Sequence, residues 1–357
     1  MSEQLSIQSF NGAYVAHFDN AALENLNNAV PADAHFIIDA RVAELYAIPL
    51  ANVLKHPSVL LIEAVEPNKS LEKMPAYVEH LVANGVRRDH TLIAIGGGII
   101  QDITCFLAAT MLRGIDWHFF PTTLLAQADS CIGSKSSINC GTAKNILGTF
   151  TPPKKINVCV DFLDTLDEGD VRSGVGEMIK VHVIDGPSSF DAIAADYPLL
   201  FSDKTKMRHY ILRSLEIKKG YIERDEMDRG PRNIFNYGHS FGHAIEAATA
   251  FAIPHGIAVT IGMDMANFVS WKLGVGSEEN YRRMHPVLYV NYTGFEDHPV
   301  PIDTFIAAIS KDKKNVGSQS VSLILPDPDG IVFRQSYAND GIFRGLCEEF
   351  LERTRIS

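Results

Sequence analysis

The chain has 357 residues, 46% hydrophobic and 21% charged, a globular composition that excludes a disordered or fibrous protein and suffices for two domains. Lys and Arg number 32 against 43 Asp and Glu, a net charge of −11. That balance excludes a non-specific binder of the nucleic-acid backbone and leaves room for a small anionic ligand held by a local basic cluster. The five cysteines show no C-x-x-C spacing, and their odd count in a chain this long points to a reducing compartment. Residues 1–10 carry neither a basic nor an apolar region, and no stretch reaches the ~18 apolar residues of a membrane span. The expectation is a cytoplasmic protein with neither membrane nor nucleic acid as partner.

In chain order, residues 35–40 and 59–65 read as buried strands. Leu71, Met74, Val78, Leu81 and Val82 recur at helical spacing and stop at Gly85, a helix with a glycine at its end. Residues 91–95 read as a strand running into Gly96-Gly97-Gly98, and 99–111 as a helix. Residues 116–120 and 156–160 add two apolar runs of strand length. Such alternation predicts a parallel sheet covered by helices on both faces. From about Gly169 the rhythm is helical, over 171–185, 204–226, 238–249, 256–273 and 302–311. Strands at 321–325 and 331–334 flank the turn Asp327-Pro328-Asp329-Gly330, and an amphipathic helix over 343–353 closes the chain. The predicted organisation is an α/β domain over 1–168 and a mainly helical domain over 169–357, joined by an acidic connector at 164–170. No internal repeat of 20–50 residues is present.

Three constellations carry potential chemistry. Gly96-Gly97-Gly98-Ile99-Ile100-Gln101-Asp102 follows a strand and opens a helix, where glycines admit a phosphate to the backbone and the helix N-terminus favours its charge. It is not G-x-G-x-x-G, because Gln101 replaces the last glycine, so the alternative is a plain tight turn. Pro121-Thr122-Thr123 places hydroxyls at the same end of the sheet, beyond the carboxyl ends of the strands. In Gly238-His239-Ser240-Phe241-Gly242-His243, the two histidines share one helical face at i, i+4. His255 follows Pro254 and can return to the same point, and Glu177 is an acid in an apolar helical stretch. The alternative is a set of core or surface histidines. Finally, Arg113, Asp129, Lys135, Lys144, Asn145, Lys180, Lys218, Arg232 and Asn236 are polar residues in apolar or Gly-rich surroundings. Together they suffice to hold a phosphate and a carboxylate.

With these residues in place, the chain resembles the 3-dehydroquinate synthase family of sugar phosphate cyclases over about residues 59–326. The matching stretches are 96–102, 113–145, 174–180 and 218–255. The resemblance implies a Rossmann-like N-terminal nucleotide-binding domain and a C-terminal helical metal-binding domain. It implies NAD on Glu66, Lys69, Gly97, Gly98, Ile99, Asp102, Thr122, Thr123, Lys144, Phe162 and Thr165, with Asp39 nearby. A divalent metal, zinc or else cobalt, is implied on Glu177, His239 and His255. Substrate phosphate and hydroxyls are implied on Arg113, Asp129, Lys135, Asn145, Lys180, Lys218, Asn236 and Lys313, and the substrate carboxylate on Arg232. His243, a candidate ligand by spacing, becomes a substrate-contacting and proton-transfer residue, with Lys180 and Asp228 as further catalytic groups. A homodimer is the family expectation.

The implied reaction cyclises 3-deoxy-D-arabino-heptulosonate 7-phosphate to 3-dehydroquinate by transient oxidation, β-elimination of phosphate, reduction and intramolecular aldol closure, without net redox change. Three departures bear on substrate. Asp228 stands where a glutamate is usual, four residues before Arg232. Gly133-Ser134-Lys135-Ser136-Ser137 usually has a second glycine before its lysine and a threonine after it. Arg41 follows Asp39 where an asparagine is common. Another cyclase, acting on an amino analogue or on sedoheptulose 7-phosphate, is the near alternative. A polyol dehydrogenase of the same fold would lack the set Lys135, Lys144, Asn145 and Arg232, and a non-catalytic descendant would have no use for the metal ligands.

Overall fold

The computed structural model describes residues 3–141, 143–311 and 320–356. Lys313, expected on the substrate, lies outside the described residues. Two compact units divide the chain, one comprising Met1–Leu166 with Lys218–Met227, the other Asp167–Ile217 with Asp228–Ser357. The division at 166/167 falls inside the acidic connector, and the short segment Lys218–Met227 groups with the first unit although it follows the connector in sequence.

The first unit holds β1 (Glu3–Ile7), β2 (Tyr14–Phe18), β3 (Ala34–Asp39), β4 (Val59–Ile62), β5 (Thr91–Gly96), β6 (Asp116–Pro121), β7 (Lys135–Cys140), β8 (Ala143–Phe150) and β9 (Lys155–Val158). Its helices are α1 (Ala22–Asn28), α2 (Ala40–Leu45), α3 (Met74–Ala83) and α4 (Gly98–Thr110). Seven strands form one sheet in the order β1-β2-β9-β6-β5-β3-β4. All its pairs are parallel except β1 with β2. The central strands β3 and β5 are apolar along their whole length because both faces are covered. Phe36, Ile38, Ile93 and Ile95 face a core shared with Val42, Leu50, Val53 and Phe162, while α4 lies against β3, β5 and β6. Burying each such side chain contributes roughly 1.5–3 kcal/mol. From β3 the chain goes outward to β4 and then back across to β5, so the strand order reverses between β3 and β5. Asp39 and the glycine turn at 96–98 lie at the carboxyl ends of these two strands, where open α/β sheets bind ligands.

Two hairpins escape the apolar pattern. β1–β2 is an antiparallel edge pair with only alternate burial. The segment 133–137 enters β7, which pairs antiparallel with β8. β8 has no buried residue among its described positions, so hydrophobic periodicity had nothing to report.

The second unit holds α5 (Glu168–Asp185), α6 (Pro187–Ala195), most of α7 (Lys204–Ile222), α8 (His239–Ala248), α9 (His255–Lys272), α10 (Glu278–Tyr292), α11 (Ile302–Ser310), a hairpin of β10 (Ser320–Pro326) with β11 (Val332–Ala338), and α12 (Gly341–Glu349). The helix expected over 204–226 stops at Ile222. α10 was not expected because Pro286 interrupts its pattern from inside. Every residue from Gly256 to Ser270 is buried, so α9 is a central helix packed against α5, α8 and α10.

Glycine permits that packing. A Cβ on Gly256 would overlap the Ser173 carbonyl oxygen, and one on Gly262 would overlap that of Gly238. A Cβ on Gly176 would strike the Thr260 hydroxyl and the Gly256 carbonyl. The obstacles at Gly256 and Gly262 are backbone atoms, which cannot swing aside, so Gly256→Ala is expected to cost at least about 3 kcal/mol, the upper end for overpacking. Gly220→Ala, in α7 with open space around the new methyl, is expected to stabilise by about 0.5–1 kcal/mol. Urea denaturation of the two variants checks both signs.

Candidate active site

In the second unit, three helices bring their ligating residues to one point. Glu177 lies within α5, while His239 and His255 are the first residues of α8 and α9. Gly238, at a left-handed φ of 75°, turns the chain into α8, and Pro254 does so for α9. The Glu177 carboxylate Oε1 is 3.6 Å from His239 Nε2 and 3.4 Å from His255 Nε2. His243 lies one turn along α8, and nitrogens of the three imidazoles all fall within 4.8 Å of one another. A carboxylate and converging imidazole nitrogens are a donor set suited to zinc or a similar divalent ion.

The ring orientations suit ligation. His239 Nδ1 is 3.2 Å from the Tyr237 carbonyl, so it carries the proton and leaves the Nε2 lone pair facing Glu177. Burial, reinforced by Lys180 and the two neighbouring imidazoles, pushes His239 well below its ordinary value, which keeps it neutral. His255 Nδ1 meets both oxygens of Glu246, at 3.2 and 3.3 Å. Burial would lower its pKa too, but hydrogen bonds to Glu177 and Glu246 outweigh that and raise it to about 10 without a metal. Lys180, one turn beyond Glu177, donates to the other Glu177 oxygen, with both side chains buried. Its ammonium also lies 5.8 Å from the Phe235 ring centroid. Arg232 and Asn236 belong to the turn Pro231–Asn236, where Arg232 is buried and Asn236 donates to the Asn233 carbonyl. Asp228 adopts a left-handed φ of 55°.

In the first unit, Lys69 Nζ lies 3.0 Å from both Asp102 Oδ2 and Asn145 Oδ1. Asn145 Oδ1 also accepts from Ser137 Oγ at 3.0 Å, and Ser137 N donates to Asp102 Oδ1 at 3.1 Å. Glu66 Oε1 accepts from Asn139 Nδ2 at 2.8 Å. Asn145, expected on the substrate, therefore sits among residues expected on the nucleotide. Burial raises Asp102 to about 6 against the opposing pull of Lys69. At the turn, Thr123 fills the space beside Gly97, where a Cβ would come within 2.9 Å of its methyl. On the open side, a Cβ on Gly98 would meet nothing within 4 Å, leaving room beside Ile99 at the start of α4. Thr122 is buried, and Asp39 Oδ1 accepts from Arg41 N as the cap of α2.

Phe162 is 1% exposed. Its ring packs edge-on against Tyr46 and lines a cavity of about 370 Å³ with Leu23 and Cys159. Thr165 Oγ1 is 3.1 Å from the Tyr46 hydroxyl. Lys218 Nζ forms an ion pair with Asp129 Oδ1 at 2.5 Å and donates to the Asp129 carbonyl. Lys135 and Lys144 are exposed at the hairpin, and Arg113 is exposed in the turn Met111–Arg113 at a φ of 68°. Asn139 was missed because its partner Glu66 is distant in sequence, and Glu246 was missed behind His255. The acid three residues after His243, on a helix that returns towards His255, was the available signal for Glu246.

Family models described as 3-dehydroquinate synthase N-terminal and C-terminal match residues 59–173 and 174–315. A 3-dehydroquinate synthase of Thermoanaerobacter pseudethanolicus is 37% identical over 78% of this chain and 80% of its own length. The fold is similar to that of 2-deoxy-scyllo-inosose synthase complexed with carbaglucose-6-phosphate, NAD+ and Co2+, with a TM-score of 0.83 at 22% identity over 97% of this chain and 100% of that one. It is also similar to 2-epi-5-epi-valiolone synthase from Streptomyces hygroscopicus subsp. jinggangensis with NAD+ and Zn2+ bound. There the TM-score is 0.81 at 26% identity, over 95% of this chain and 97% of that one.

Glu246→Gln keeps the shape but loses the charge that fixes the His255 tautomer, so zinc affinity is expected to fall about 10–100-fold in chelator competition. The folded Asp102 holds its proton above the ordinary 3.8, so ionising it opposes folding. Stability relative to Asp102→Asn, which mimics the protonated form, is expected to decline from pH 4 to a little above 6, by up to about 3 kcal/mol. Parallel urea titrations across that range check the direction.

Proposed function

The chain belongs to the 3-dehydroquinate synthase family, and from that premise we propose that it cyclises 3-deoxy-D-arabino-heptulosonate 7-phosphate to 3-dehydroquinate with loss of phosphate. NAD would supply reversible hydride transfer, and zinc, or cobalt in its place, would acidify the substrate hydroxyl. The observation that carries this reading is the convergence of Glu177, His239 and His255, with Lys180 bonded to the carboxylate of that same set.

Glu177, His239 and His255 would hold the metal, and Lys180 would keep Glu177 ionised and oriented as well as meeting the substrate. His243, exposed beside the other imidazoles, is placed to exchange protons at the substrate, with Asp228 as a second proton-transfer group. Arg232 offers the bidentate fork that suits a carboxylate, with Asn236 four residues on in the same turn. Substrate phosphate would be held by Lys135, Arg113 and Lys313, and Lys218 would present its ammonium from its pair with Asp129. Glu66, Lys69, Asp102 and Lys144, with Gly97, Gly98, Ile99, Thr122 and Thr123, would hold the dinucleotide. Asn145 would steady Lys69, while Asp39, Phe162 and Thr165 would complete the nucleotide side. The proposal includes a cytoplasmic homodimer serving aromatic amino acid biosynthesis, with 1–168 and 169–357 as its nucleotide and metal domains apart from the returned segment Lys218–Met227.

A second reading, cyclisation of an amino analogue or of sedoheptulose 7-phosphate, is favoured by Asp228 and Ser134 in place of the usual residues. Phosphate release in the presence of zinc and NAD separates the readings. Stoichiometric phosphate from the keto-acid phosphate without NADH accumulation supports the first. Release only from an alternative sugar phosphate supports the second, and steady NADH from a simple polyol would overturn both. Asp228→Asn is expected to lower kcat about 10²-fold or more, whereas Asp228→Glu, which restores the usual carboxylate, is expected to stay within about tenfold of wild type.

A further inference from the structure

Ser134 departs from the family pattern at a place where the backbone itself favours glycine. Its φ is 66°, a left-handed conformation uncommon for residues with a Cβ, and its side chain is buried. The hydroxyl donates to Glu226 Oε1. The same carboxylate accepts from Ser9 Oγ at 2.7 Å and from Phe10 N at 2.8 Å, so one charge holds donors from two separate parts of the first unit. Hydrogen bonds to an ionised acceptor are about twice as strong as neutral ones. On the backbone side, Ser134 O accepts from Thr151 N at 2.8 Å, and Gly133 N donates to the Tyr14 hydroxyl at 3.0 Å. Lys135 follows immediately, with its N bonded to Gly133 O at 2.8 Å.

We propose that Glu226 is a positioning residue for Lys135, acting through a clasp with Ser134 that fixes the start of β7 against the segment Lys218–Met227. That segment is tied to the first unit at its other end by Lys218 on Asp129. The clasp replaces the freedom of the usual glycine with a side-chain anchor, so the lysine is presented from a held backbone rather than a loose turn. A charged group that must meet a phosphate gains from being held beforehand, since misplacement by about 1 Å can cost as much as 10²-fold. The inference rests on the reading that Lys135 meets the substrate phosphate. It adds that this chain has its own device for aiming it.

The test uses the full chain as wild type, Glu226→Gln, Ser134→Ala and Ser134→Gly, with folding checked by circular dichroism. Two readouts are taken: hydrogen exchange at the Thr151 amide, whose acceptor is Ser134 O, and the split between KM and kcat for the keto-acid phosphate. Glu226→Gln and Ser134→Ala are expected to speed that exchange at least about tenfold and to raise KM about tenfold with kcat little changed. Ser134→Gly is expected to fall between them and wild type, because glycine adopts the left-handed backbone without strain. Wild-type exchange in both Glu226→Gln and Ser134→Ala would overturn the clasp. Faster exchange with KM unmoved would reduce Glu226 to a structural role and overturn the positioning claim. If wild type does not turn over this substrate, the functional reading fails by itself, while the exchange data still decide whether the clasp exists.

Discussion

The carboxylate of Glu177 is 2% exposed in the interior of a helical unit, where an ionised group is tolerated only beside compensating charge or a metal. Much of the second unit can be traced to that requirement. Lys180 meets one oxygen from the next turn of the same helix, and His239 and His255 face the other. Both imidazoles stand at helix starts, so the starts of α8 and α9 must approach the middle of α5 closely enough to converge on Glu177. Gly176, Gly256 and Gly262 remove the side chains that would hold them apart. The shortened contacts and the buried acid are two sides of one arrangement, since the close packing excludes water and the exclusion strengthens every electrostatic term at the site.

The first unit handles charge in a similar way with different parts. Asp102 sits at the start of α4 beyond the strand reversal, and its burial is only partly offset by Lys69 and the Ser137 amide. Asn145, at a left-handed φ of 50°, lies between Lys69 and Ser137. The hairpin that supplies Ser137 and Asn145 thus acts as a polar wall beside the glycine turn. Glu226 and Lys218 anchor a late segment of chain to this unit through Ser134 and Asp129. In both units the polar groups are held by other polar groups before any ligand arrives, the preorganisation that electrostatic catalysis needs.

Legibility followed the origin of each signal. The central strands β3 and β5 were readable because sheets covered on both faces demand continuous apolar runs, and α4 because it follows glycine after such a strand. β8 was not, since it buries no residue and carries no alternation, and α10 was hidden by Pro286. Within the site, His239 and His243 were visible from a spacing of four, and Glu177 from an acid out of place in an apolar helix. Glu226 was invisible in its role, because it acts on a residue that only folding brings near, and Glu246 left only its place three residues after His243 as a signal.

The sequence by itself determined the two-part architecture, the family and the chemical types available at the site, since hydrophobic period and motif order are local properties of the chain. Tertiary structure alone decided which groups share a proton or a charge. It paired Asn145 with Lys69 rather than leaving it free for substrate, set Glu246 behind His255, and returned Lys218–Met227 to the first unit. The physical reason is that a buried charge is satisfied through space. Its partners are chosen by helix crossings and backbone close approach, which are not encoded at any fixed separation along the chain.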